Sequence, residues 1–174
     1  MHPFSDLAAR CAAMSMSSTD DARQSVLALL QESGSAVLVK ALQAVELQRA
    51  MMAVGLVSMF EAALQAALGE ENGFGAARKL LREGGHERIE GDFADIIRAI
   101  NVLKHGAGRS HDELLARRMM LPFKVRTESE CFEEGDVSEL IFLVKVDDEF
   151  FQYCASAVAE VAAIVRALKP EAIL

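Results

Sequence analysis

Between Ser33-Gly34-Ser35 and Gly69 runs a stretch without proline in which Val37, Leu38, Leu42, Val45, Met52, Leu56, Met59, Phe60 and Ala63 recur at helical spacing. A straight helix of that length measures about 55 Å, against a radius of gyration of about 16 Å for a compact domain of this size. Such a helix either bends, with Gly55 the candidate position, or projects and is covered by a second subunit. Its apolar residues occupy more than one face, which points to a dimer.

The remaining sequence agrees with a helical fold. Hydrophobic residues make up 52% of the 174, enough for a core, yet aromatics are only 6% and tryptophan is absent. Ala, Leu, Val and Met must therefore fill the core, which favours helix packed on helix over a β-sandwich. Proline occurs only at positions 3, 122 and 170. The expected architecture is mainly α: one domain over 1–174, a bundle of five to seven helices with one long central helix. Ser5 to Ser17 and Asp20 to Gln31 read as two short helices packing on a bundle core that spans 33–174. Glu70 to Gly75 reads as a turn and Ala76 to Glu83 as a short helix. A helix from about His86 to His105 follows, closed by Gly106 in the left-handed conformation. Ser110-His-Asp-Glu113 has capping-box spacing and predicts a helix to about Met120. Phe123 to Arg126 and Leu140 to Val146 are the strand-like segments and allow a small β-hairpin near 123–146. Asp147-Asp148-Glu149 starts a last helix that ends near Leu168.

Several function classes find no support. Cys11, Cys131 and Cys154 are far apart and make no Cys-x-x-Cys pair, so free thiols in a reducing cytoplasm are expected, with no metal or other cofactor. The opening Met1-His-Pro-Phe-Ser-Asp lacks the pattern of a signal peptide. The most apolar run, Ala50 to Phe60, is about half a membrane span and reads as core, so no membrane is expected. His105 and His111 with Asp112 and Glu113 are a weak metal candidate, and Glu128 to Glu139 lacks the ligand order of a calcium loop. Met51, Met52 and Met59 suit core filling better than a ligand pocket.

Charge is unevenly spread. The net charge is −8, yet Arg98 to Arg126 carries seven basic and two acidic residues, and Thr127 to Phe150 nine acids against Lys145. The two segments either pair with each other, as most charge runs do, or the basic one meets a polyanion.

The most informative segment is the amphipathic helix before Gly106. With Arg98 at zero, Ile89, Phe93, Ile96, Ile97, Ile100 and Leu103 fall in an arc of about 140–260°. Asn101 and His105 fall at about 300° and 340°, so Arg98, Asn101 and His105 form a polar stripe flanked by Asp95 and Val102. Asp95-Ile-Ile-Arg98-Ala-Ile-Asn101-Val-Leu-Lys104-His105-Gly106 resembles the signature helix of the HEPN superfamily, an Arg and a His separated by four to six residues on a late helix of an α-bundle. Here six residues separate Arg98 from His105, and Ala99 stands where family members usually carry a polar residue. If Asn101 is that polar residue, Ile100 holds the Arg position.

The resemblance implies a homodimer that faces these helices across a cleft and binds RNA. It also implies a metal-independent endoribonuclease of toxin or defence type, held in check by a partner such as an antitoxin. Arg98, Asn101 and His105 would be the catalytic group, since an imidazole can move a proton and a guanidinium can stabilise phosphorane charge. Lys104, Arg109, Arg117 and Arg118 would hold phosphates. The alternative is a non-catalytic helical protein that works through interaction or dimerisation.

Overall fold

Six helices account for the fold in a computed structural model that describes residues 4–33, 35–134, 136, 138–170 and 174. They are α1 (Phe4–Glu32), α2 (Ala36–Leu68), α3 (Gly73–Glu83), α4 (Glu87–His105), α5 (Arg109–Leu115) and α6 (Asp148–Leu168). The fold is a mainly-α bundle. Helix α2 begins where Ser35 accepts from the Val37 amide and ends at Gly69, whose φ of 68° and ψ of 26° form the left-handed cap expected there. Asp147 caps α6 by accepting from the Phe150 amide.

Four local expectations need correction. The two N-terminal helices are one, α1, because the hydroxyl of Thr19 bonds back to the Ser15 and Met16 carbonyls and leaves the helix unbroken. Helix α3 starts at Gly73, three residues early, because Asn72 caps it through the Gly75 amide. Helix α5 starts at Arg109 and stops at Leu115, followed by a single 3₁₀ turn, Arg118–Met120. Its cap position is Gly108, so Ser110 lies inside the first turn and caps nothing. The hairpin reduces to one antiparallel bridge, Val125 to Val144, with the Arg126 amide bonding the Leu143 carbonyl and the Lys145 amide the Lys124 carbonyl. No strand forms among the described residues. Arg126 also donates to the Phe142 and Leu140 carbonyls, so a side chain does the joining that a ladder would have done.

Two apolar clusters hold the bundle. In one, Ala53, Val57, Ile96, Ala99, Leu114, Phe150 and Cys154 join α2, α4, α5 and α6 to the bridged segments. In the other, Phe60, Leu64, Leu81, Phe93, Val158 and Val161 join α2, α3, α4 and α6, with Phe60 and Phe93 meeting edge-on at 6.0 Å between centroids. Burial pushes the Cys154 thiol well above its ordinary value, which leaves it an inert core group. Polar groups fix the N-terminal helix. The buried Arg49 of α2 reaches Thr19 and Asp20 of α1 and, at 3.2 Å, Asp148 at the start of α6.

Helix α2 buries Leu42, Val45, Arg49, Ala50, Ala53, Val57, Phe60 and Leu64 on one side. Its other side stays bare: Val37 is 73% exposed, Met51 66% and Met59 65%. By length and composition both α2 and α6 are apolar enough to cross a membrane. Beyond those eight buried positions, the residues of α2 are half-buried or exposed.

Helix α3 enters against α2 so closely that a Cβ on Gly73 would lie 2.6 Å from the Glu61 carbonyl oxygen and 2.8 Å from the Gln65 amide nitrogen. Backbone atoms cannot step aside as a side chain can. Gly73→Ala should therefore lower stability by about 1–3 kcal/mol, read as a fall in Tm; an unchanged Tm would contradict this contact.

Candidate functional site at the end of α4

Helix α4 is set by its apolar residues and stopped by a glycine turn. Gly106 has φ 76° and Gly108 φ 152°, conformations that side-chain-bearing residues rarely adopt. With ψ at −148°, Gly106 is not in the left-handed helical conformation expected for it. This turn folds α5 back onto α4 and brings Glu113 beside Arg98.

Arg98 is consequently tied on two sides. Its Nη1 lies 3.1 Å from Asp95 Oδ1 and its Nε 2.6 Å from Glu113 Oε2. The same carboxylates hold two of the residues expected to bind phosphate: Arg117 Nη2 reaches Asp95 Oδ2 at 3.2 Å, and Arg109 Nε reaches Glu113 Oε1 at 2.9 Å. Arg118 pairs with Glu130, so the basic and acidic segments neutralise each other in part, while Lys145 pairs with Glu133 within the acidic segment. Lys104 and His105 are exposed in the last turn of α4, with no carboxylate partner among the described residues.

The polar stripe is narrower than the helical wheel suggests. Asp95, Ala99 and Val102, at about 60°, 100° and 40° from Arg98, are buried. The fully buried Leu114 of α5, together with Arg117 beyond it, covers this flank. Ile100, the other candidate for the motif Arg position, is buried in the core at 3% exposure. Asn101 is half-buried, between the covered part of the helix and its open end. His111, the second histidine of the weak metal candidate, is buried, and its Nε2 lies 2.8 Å from the Arg126 carbonyl oxygen. The described residues contain no group of His, Cys, Asp and Glu placed to hold a metal ion.

Asp95 is the ion-pair partner that i−3 spacing offers Arg98, whereas Glu113, whose spacing suggests half of a capping box, completes the network without standing out in the sequence. Burial pushes the Asp95 carboxyl up, opposed by Arg117 and Arg98. Hydrogen bonds from Arg98 and Arg109 hold the Glu113 carboxyl below its ordinary value.

These residues define a charge-paired joint between α4 and α5 in a mainly-α bundle. Comparison with known protein families, with characterised proteins and with solved structures finds no match.

Two predictions test the joint. Arg98→Ala should cost about 1–2 kcal/mol, less than the loss of an isolated buried pair, because Arg117 still faces Asp95; no loss of stability would show the pairs to be idle. Glu113 has a lowered folded value, so its stabilisation is complete above the ordinary 4.5 and disappears as pH falls through the folded value. Glu113→Gln should lower Tm at neutral pH, and the difference should vanish as pH falls through the folded value. A Tm gap that persists in acid would contradict the assignment.

Proposed function

We propose that this chain is a non-catalytic helical interaction protein of the cytoplasm, HEPN-like in its order of helices, whose working surface is the apolar outer face of α1 and α2. The observation that carries this reading is the bare side of α2, where Val37, Met51 and Met59 are each at least 65% exposed. Leu7 (54%) and Met14 (74%) of α1 are exposed too. Large apolar groups gathered on one face of a domain mark a surface that another macromolecule covers. The α4 stripe supports the same reading, because Arg98 is engaged by two carboxylates and a buried isoleucine occupies the alternative Arg position. Exposed thiols at Cys11 and Cys131 suit a reducing compartment.

A second reading, an RNA-binding protein or metal-independent endoribonuclease, is favoured by one observation. Lys104 and His105 stand exposed at the C-terminal end of α4, where the helix dipole favours a cation.

One set of measurements separates the two. For the interaction reading, sedimentation velocity should show the protein in a complex, with itself or with a co-purified chain, that Met51→Glu with Met59→Glu dissolves. His105→Ala should leave the complex intact, and neither protein should cleave RNA. RNA cleavage lost on His105→Ala would establish the second reading. A monomer unaffected by the two glutamates would remove the first.

A further inference from the structure

Resting on the interaction reading and deepening it, we infer that the partner on the α2 face is a second copy of this chain, crossing α2 antiparallel about a two-fold axis beside Gly55. Four observations converge on that register. The first is symmetry within the helix. Within about 40° of Gly55 around the helix axis, opposite the buried side, lie the apolar Val37, Ala44, Met51, Met59 and Ala66 together with the exposed Gln48 and Ala62, seven residues to either side. Met51 and Met59 stand four residues to either side of Gly55, and Ala44 and Ala66 eleven to either side. An antiparallel copy centred on Gly55 therefore sets each methionine against the other and Ala44 against Ala66, as an isologous interface requires.

The second observation is space. A Cβ at Gly55 meets nothing within 4 Å among the described residues, so none of them calls for a glycine there. A glycine inside a helix lowers stability by about 1 kcal/mol relative to alanine; at the crossing point of two helices its missing side chain lets the backbones approach. Beside it, between α1 and α2, lies a groove of about 400 Å³ walled by Leu7, Cys11, Met52, Leu56 and Met59 and floored by Phe151. The flexible methionines of the second copy can fill it.

The third is charge. The stripe carries none. Lys40 and Glu70 stand fifteen residues to either side of Gly55, both exposed and without an ion-pair partner among the described residues. The antiparallel register brings each Lys40 towards the Glu70 of the other copy, twice per dimer, whereas a parallel register sets like charges together. The fourth is size. From Val37 to Ala66 the stripe runs about 44 Å, and with the adjoining rim of α1 it is about two helices wide. That is roughly 900 Å² on each copy, the extent of a standard stable interface.

Cysteine cross-linking and light scattering test the register in a Cys11→Ser, Cys131→Ser background. Gly55→Cys should form an intermolecular disulfide, because the two positions face each other across the axis. Met51→Cys alone should not, because its two copies would lie about 12 Å apart along the helices, beyond disulfide reach. Gly55→Leu, whose Cβ meets no described atom of its own chain, should keep or raise the helix content and weaken the dimer at least about tenfold. A Met51→Cys disulfide in place of the Gly55→Cys one would overturn the antiparallel register. So would a monomeric mass at every concentration, or a monomer that floats with phosphatidylcholine vesicles. A complex with a different chain, still dissolved by the glutamates at 51 and 59, would leave the interaction reading standing and remove this one.

Discussion

A guanidinium buried between two carboxylates and a hydroxyl decides how the long helices lie. Arg49, 5% exposed, meets Thr19 and Asp20 of α1 and Asp148 of α6 from the middle of α2. Helix α1 is held by this contact together with apolar ones, since Ala8 and Ala12 are buried, Phe4 stacks on Phe60 at 5.8 Å and Met16 packs against the core. The arrangement is not free of tension. Burial and the facing Asp20 push the Asp148 carboxyl up, opposed by Arg49. One guanidinium between two carboxylates leaves net negative charge in a partly desolvated place. Arg49 in turn would be a costly buried cation without them, so the three groups stand together.

With α1 fixed along one flank, α2 has two unlike faces. The inner one, with Ala53, Val57, Phe60 and Leu64 fully buried, anchors α3, α4 and α6. The outer one keeps a largely apolar stripe that no described residue of its own chain covers. The length of α2 follows from serving both. A helix that only filled the core of a domain this size would not need 33 residues.

What could be read in the sequence follows from which forces act locally. The bounds of α2 and the Asp147 cap of α6 were legible because Ser35, Gly69 and Asp147 act on backbone groups within a few residues. The join within α1 was not: Ser17-Ser18-Thr19-Asp20 has the composition of a break, and its polar groups are used by the helix itself and by Arg49, thirty residues away. Ser110 and Glu113 fit a capping box by spacing, but Gly106 and Gly108 let the chain turn sooner, and Glu113 is taken by Arg98 and Arg109. The polar stripe of α4 was visible as periodicity. That α5 would cover its Asp95 flank was a matter of tertiary packing, which a wheel drawn for one helix does not contain.

The α4–α5 joint and the α2 face therefore divide the molecule between cohesion and contact. At one end, carboxylates satisfy the guanidiniums and hold the chain to itself. Along the other side, apolar groups remain unmatched among the described residues. Methionine oxidation by hydrogen peroxide reads this division most directly, because the bundle supplies its own control. Met119 and Met120, 91% and 78% exposed, lie away from α2, while Met51 and Met59 lie on its outer face. As protein concentration rises, oxidation of Met51 and Met59 should slow several-fold while Met119 and Met120 keep reacting. Equal and concentration-independent oxidation of all four would contradict a covered α2 face.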